Sequence, residues 1–126
     1  MASLIVSAVF SHGKKSVRVR ALLDTGAEMT LLSSTHAKKI GLKDLGPVGV
    51  RGAGGKASLR LAKVDAVDVP GTRCGSGSIY VIVFDERAFP LGGLTGLGSI
   101  LGLDFMQLVK MKILAFKESS IIQCGE

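Results

Sequence analysis

Ser16-Val17-Arg18-Val19-Arg20-Ala21-Leu22-Leu23-Asp24-Thr25-Gly26-Ala27 decides how the rest of the chain is read. Val17, Val19, Ala21 and Leu23 alternate with Ser16, Arg18, Arg20 and Leu22, the period of a half-buried β-strand. That strand delivers one carboxylate, Asp24, into a Thr-Gly-Ala turn, and a second apolar run, Met29-Thr30-Leu31-Leu32, follows. A carboxylate between two buried runs is costly unless it is paired or hydrogen-bonded. Thr25 offers a hydroxyl for that bonding, and Gly26 permits close backbone approach.

Upstream, Leu4 to Phe10 alternates in the same way, and Ser11 to Lys15 reads as a turn, so the chain opens with a hairpin. Downstream, residues 29–33 return as a strand and Ser33 to Ile40 as a short helix closed by Gly41. Gly46 to Ala57 holds five glycines, with extended segments at 48–51 and 58–64 on either side. That pattern predicts a hairpin with a mobile glycine tip. Strands are expected at 64–69 and 78–84, a loop over 70–77 and irregular chain over 85–97. A last apolar group, Ser99-Ile100-Leu101-Gly102, precedes a short helix over 103–109 that turns Phe105 and Leu108 inward. Strands at 110–116 and 120–123 end the chain. The order strand, turn, strand, helix occurs twice, at 16–40 and at 79–109.

With 126 residues, seventeen glycines and nearly half its residues hydrophobic, the chain suits one mostly β domain and excludes disorder. The net charge of +6 comes from scattered lysines and arginines without interleaved aromatics, the pattern of a solvated basic surface, so nucleic acid is not an expected partner. No run approaches the ~20 apolar residues of a membrane helix. No basic residue precedes the apolar opening, which argues against a secretory signal and for a cytoplasmic protein. An anchoring segment outside this sequence stays open. Cys74 and Cys124 allow one disulfide at most, and free thiols in a reducing compartment are the plainer expectation. Neither has metal-ligand neighbours, and no metal or other cofactor is expected. The glycine run 92–98 lacks the Gly-Lys-Ser/Thr ending of a phosphate loop. His12 and His36 have no serine or cysteine nucleophile context for a hydrolytic triad.

Leu22-Leu23-Asp24-Thr25-Gly26-Ala27, the glycine-tipped hairpin and Ile100-Leu101-Gly102 before a short helix together resemble the retropepsin-type aspartic proteases. The resemblance covers about residues 4–116. It implies a mostly β, closed-barrel protomer with one or two short helices, half of an acid-protease site, acting as a homodimer on protein or peptide substrates. Asp24 would be the catalytic residue, with Thr25 and Gly26 in support. Ala27, Glu28 and the flap residues Val50, Arg51, Gly52, Ala53 and Gly54, within a flap over about 48–58, would meet substrate. Ile100, Leu101 and Gly102 would buttress the catalytic turn. No second Asp-Thr-Gly or Asp-Ser-Gly is present, so one chain supplies one catalytic carboxylate. The terminal runs Leu4–Val9 and Ser120–Gln123 are apolar enough to interlock two protomers, as the family commonly does. Leu103-Asp104-Phe105 after the glycine looks like the cellular and bacterial members, since viral members often carry an arginine there. A catalytically weak or inactive module that kept the fold for dimerisation and binding is the competing class.

Overall fold

The computed structural model of the chain describes residues 4–49, 59–87, 96–117 and 119–125. Its first two strands, β1 (Leu4–His12) and β2 (Lys15–Leu23), form the expected opening hairpin, in register from Leu4 opposite Leu23 to His12 opposite Lys15. Ala8, Phe10, Val19, Ala21 and Leu23 are buried along one face of it, as the alternation requires. β3 (Leu31–Ser33) runs directly into α1 (Ser34–Lys39), and the Ser33 side chain caps that helix by accepting from the His36 N–H.

β4 (Arg60–Val64) and β5 (Ala66–Asp68) are separated at Asp65, whose N–H donates to the Ser11 carbonyl at 2.8 Å. The predicted loop over 70–77 contains a further two-residue strand, β6 (Gly75–Ser76), paired with β5. β7 (Ile79–Phe84), β8 (Ser99–Leu101), α2 (Leu103–Leu108), β9 (Lys112–Ala115) and β10 (Ser120–Gln123) complete the chain.

Eight strands make one sheet in the order β4-β7-β3-β8-β2-β1-β5-β6, and β9 with β10 makes a separate hairpin. The doubled strand-turn-strand-helix order of the sequence becomes an interleaving at the sheet's centre. β8 lies between β2 and β3, parallel to the first and antiparallel to the second, and β7 runs parallel to β3 on its far side. β7 is apolar at nearly every position because both its faces are covered. Ile79 and Val81 join the main core, while Ile82 and Phe84 join a second cluster with Leu59, against which Met29, Leu31 and Val48 pack.

Two expectations change. Cys74 and Cys124 are not free thiols: they form a disulfide with Cα atoms 5.1 Å apart across 50 residues of sequence. The sequence could not supply this pairing, because the β5–β6 loop and the end of β10 meet only after the sheet has curled. Such a bond is kept in oxidising compartments and opened in a reducing cytosol, so it weighs against a cytoplasmic placement. Leu108 does not turn inward: it is 61% exposed, and Met106 and Val109 bury beside Phe105 instead. Phe105, Met106 and Val109, at i, i+1 and i+4, share the face of α2 turned to the core, and Leu108 falls outside it. The expected flap, including Val50, Arg51, Gly52, Ala53 and Gly54, lies outside the described residues. Its approach is described: Leu61 N–H donates to the Gly46 carbonyl, and Leu45 and Val48 N–H groups donate to Leu61 and Leu59 carbonyls, all at 2.8–2.9 Å. Among the described residues no helix is long and apolar enough to cross a membrane.

Candidate active site

β2 ends at Leu23 and β3 begins at Leu31, so residues 24–30 must arch over whatever lies between those strands. What lies there is the end of β8. The arch is tied to it by main-chain bonds: Asp24 N–H donates to the Leu101 carbonyl at 3.1 Å, Leu103 N–H to the Ala27 carbonyl at 2.8 Å, and Asp104 N–H to the Glu28 carbonyl at 3.2 Å. Gly102 is buried under this arch. A Cβ there would lie 2.8 Å from the Ala27 carbonyl oxygen and from the Met29 carbonyl group, closer than real Cβ contacts come. Only glycine admits the arch at this height.

Asp24 is half-buried at the start of the arch. Its Oδ1 accepts from the Gly26 N–H at 2.8 Å, and its own carbonyl accepts from the Ala27 N–H at 3.1 Å, so the carboxylate is fixed by a tight local turn. A Cβ on Gly26 would stand 3.1 Å from that Oδ1, crowding the carboxylate it now fixes. Thr25, Gly26 and Glu28 are exposed and Ala27 is partly covered. Among the described residues the Thr25 hydroxyl has no partner. Leu101 is fully buried and Ile100 half-buried, each in register with both flanking strands or one of them.

The closing lock of the arch involves residues that the sequence analysis did not select. Thr30 is fully buried; its N–H donates to Asp104 Oδ2 at 3.0 Å and its hydroxyl to Asp104 Oδ1 at 2.8 Å. The same hydroxyl oxygen accepts from the Gly102 N–H at 3.2 Å, and Asp104 Oδ1 also accepts from the Phe105 N–H. Ser99, fully buried in β8, donates to the Leu31 carbonyl at 2.6 Å. Two signals point to this set. Thr30 is the lone hydroxyl within an apolar run and needs a buried partner. Asp104 stands in the first turn of a helix, where a carboxylate is favoured by free N–H groups.

Perturbed ionisable groups lie beyond the arch. The Arg60 guanidinium, bonded through Nε to both Asp44 oxygens, holds that carboxylate below its usual range. Burial raises Glu86, but bonds from the Thr35 hydroxyl, the Thr35 N–H and Ser34 outweigh it and leave the net shift downward. Burial lowers His36. Among the described residues no three His, Cys, Asp or Glu side chains are grouped to hold a metal ion.

A sequence profile described as aspartyl protease matches residues 8–105, which takes in the whole arch, β8 and the start of α2. The chain belongs to the aspartyl protease family. Comparison with curated proteins returned no match. Among solved structures, this aspartyl protease family chain resembles the EIAV protease complexed with the inhibitor HBY-793 (TM-score 0.59, 20% identity, covering 84% of this chain and 86% of that one). It also resembles a retropepsin-like aspartic protease from Rickettsia conorii (0.58, 21%, 95% and 88%). The retroviral protease-like domain of Ddi1 from Leishmania major aligns over all of this chain and 96% of its own (0.55, 17%). At these identities the likeness is one of fold: the aspartyl protease chain has a retropepsin-like architecture.

Proposed function

We propose that this chain is an aspartic endopeptidase that works as a homodimer, with Asp24 of each copy forming the catalytic pair. The observation that carries the reading is the fixed, half-buried Asp24 carboxylate at the mouth of an arch within the span, residues 8–105, that matches the aspartyl protease family. Two carboxylates brought to ~3 Å cannot both ionise and share one proton, the general behaviour of aspartic-protease pairs. The ionised member takes a proton from a water bound between them, and the protonated member donates to the scissile carbonyl oxygen as the water oxygen attacks its carbon. The apparent pKa values then belong to the pair. Thr25, exposed and unpartnered among the described residues, is suited to bond across the dimer axis. Ala27, Glu28 and the 48–58 hairpin would line the path of an extended peptide, with closure of that hairpin excluding water.

The pairing surface we assign is the β9–β10 hairpin. Leu114 stands opposite Ile121 and Ile113 opposite Ile122, so each couple shares a face. Ile122 packs against the core, whereas Leu114 and Ile121 are 42% and 48% exposed, an apolar couple suited to a second copy. β1 is paired along its length with β2 on one edge but with β5 only at Val9–Ser11 on the other, so Leu4–Ala8 keeps an edge unpaired among the described strands that suits the same interface. The reading treats the chain as one domain with a core over about 4–116.

Cleavage of an unstructured protein by the wild type and by Asp24→Asn, from pH 4 to 7, tests the proposal. The substitution is nearly isosteric and leaves an oxygen to accept from Gly26. Wild-type activity that rises with dimer concentration and disappears in the variant supports the protease. A stable dimer with no activity in either protein would turn the reading to a binding module that kept the fold.

A further inference from the structure

Away from the Asp24 arch, α1, β4 and β7 line a half-open cavity of about 250 Å3. Its floor is apolar, with Ala37, Leu42, Ala62 and Val83 among the lining residues. Val83 points to this side of β7, while its neighbours Ile82 and Phe84 turn to the opposite face, where Met29 and Leu31 pack. The cavity therefore lies on the back of the strand that supports the residues following the arch. It shares no lining residue with the arch.

The rim is charged. Lys38, Lys43 and Arg60 stand against one carboxylate, Asp44; three cations less one anion leave the rim two charges positive. Neither lysine makes an ion pair among the described residues. Arg60 is the informative member. Asp44 holds it only through Nε, which donates to Oδ1 at 3.0 Å and to Oδ2 at 2.8 Å. Both terminal amino groups are left without a partner among the described residues. A guanidinium fixed on one edge and free on the other is pre-organised to take a second carboxylate.

We infer that this cavity binds a small branched aliphatic carboxylate, its tail on the apolar floor and its carboxylate among Arg60, Lys38 and Lys43. Size sets the class of ligand. At ~30 Å3 per water-sized atom the cavity holds roughly eight heavy atoms. That is below the ~300–1,000 Å3 of pockets for larger ligands. A phosphate or sulfate would match the charge and leave the floor empty. A neutral hydrocarbon would fill the floor and ignore the rim. The inference is independent of whether the chain cleaves peptides.

The test is a titration of the whole chain with 4-methylpentanoate at pH 7 and low salt, followed by amide chemical shifts in NMR. Saturable shifts at Ala37, Ala62 and Val83 are expected, with Kd on the order of 1 mM, ordinary for a ligand of this size. The neutral analogue 4-methylpentanamide should bind at least tenfold more weakly on the same wild-type protein. Arg60→Gln, a change at an exposed position, should weaken the acid and leave the amide unaffected, and Asp24→Asn should change neither. Equal binding of acid and amide, shifts confined to residues 24–30, or no saturation would overturn the inference. So would tighter binding of the blocked dipeptide acetyl-Glu-Leu-amide than of the free acid, which would make the cavity a peptide-docking site.

Discussion

The buried Thr30 hydroxyl donates to Asp104 Oδ1 at 2.8 Å while the Thr30 N–H donates to Oδ2 of the same carboxylate at 3.0 Å. One side chain from the first turn of α2 thus closes the arch that begins at Asp24. Hydrogen bonds to a charged partner contribute about 1.5–3 kcal/mol each, and leaving a buried donor unmet carries its own cost. Asp104→Ala should therefore destabilise the protein by about 3 kcal/mol in urea unfolding. It should also reduce peptide cleavage by a larger factor than the lost folded fraction explains. Asp104→Asn keeps one acceptor oxygen and should fall between the two. A variant that loses stability but keeps full activity per folded molecule would confine the lock to folding.

Gly102→Ala places a Cβ 2.8 Å from two backbone carbonyl groups of the arch, and backbone cannot rotate away as a side chain would. Overpacking of this kind costs about 1–3 kcal/mol. The expected outcome is a folded but less stable protein in which the amides of Ala27 to Thr30 shift most in NMR. Unperturbed amides there would show that the arch has slack.

Breaking the Cys74–Cys124 bond releases the end of β10 from the β5–β6 loop. For cysteines 50 residues apart, the chain-entropy model gives about 4 kcal/mol of stabilisation. Cys74→Ser with Cys124→Ser, or reduction of the wild type, should lower the denaturation midpoint accordingly. Titration of free thiols in the unreduced protein should find none.

Acid should weaken the fold through His36 before it does so through Asp44 and Glu86. The His36 Nδ1 is buried without a partner among the described residues, and its ring packs onto Gly98 just before β8. Burial lowers its pKa from the ordinary 6.5, Glu86 pulls it partly back and Lys39 adds to the lowering. The unfolded chain therefore binds this proton first. The contribution is fully present above pH 6.5 and is lost as pH falls from there through the lower folded value. Tm should decline from pH 7 toward 5, and His36→Gln should flatten that part of the curve. Asp44 and Glu86, both lowered, add a further loss below their ordinary values of 3.8 and 4.5.

Ile121→Asp, alone or with Leu114→Asp, puts charge on the exposed face of the terminal hairpin and leaves Ile122 and Cys124 in place. We expect a weaker dimer in sedimentation and lower cleavage per molecule at nanomolar protein, recovering at higher concentration. Trimming residues 118–126 should act in the same direction, though it also removes Cys124. A dimer unchanged by both aspartates would place the interface elsewhere.

The sequence by itself determined the local elements and the place of Asp24. Period-two alternation at 4–10 and 16–23, the Asp-Thr-Gly-Ala turn and the short helix that follows β3 are short-range signals, and each appears where it was expected. Tertiary structure alone decided which strand fills the gap beneath the turn. Pairing of β8 with β2 and β3 joins residues far apart in the chain, and no local pattern encodes that choice. For the same reason Thr30 and Asp104, ordinary in the sequence, form the lock, and two distant cysteines become partners. Leu108 shows the converse: its apolar character set a local expectation, and packing of α2 through Phe105, Met106 and Val109 left it outside the buried face. Side-chain chemistry can be read one residue at a time. Who meets whom is set by burial of the whole sheet.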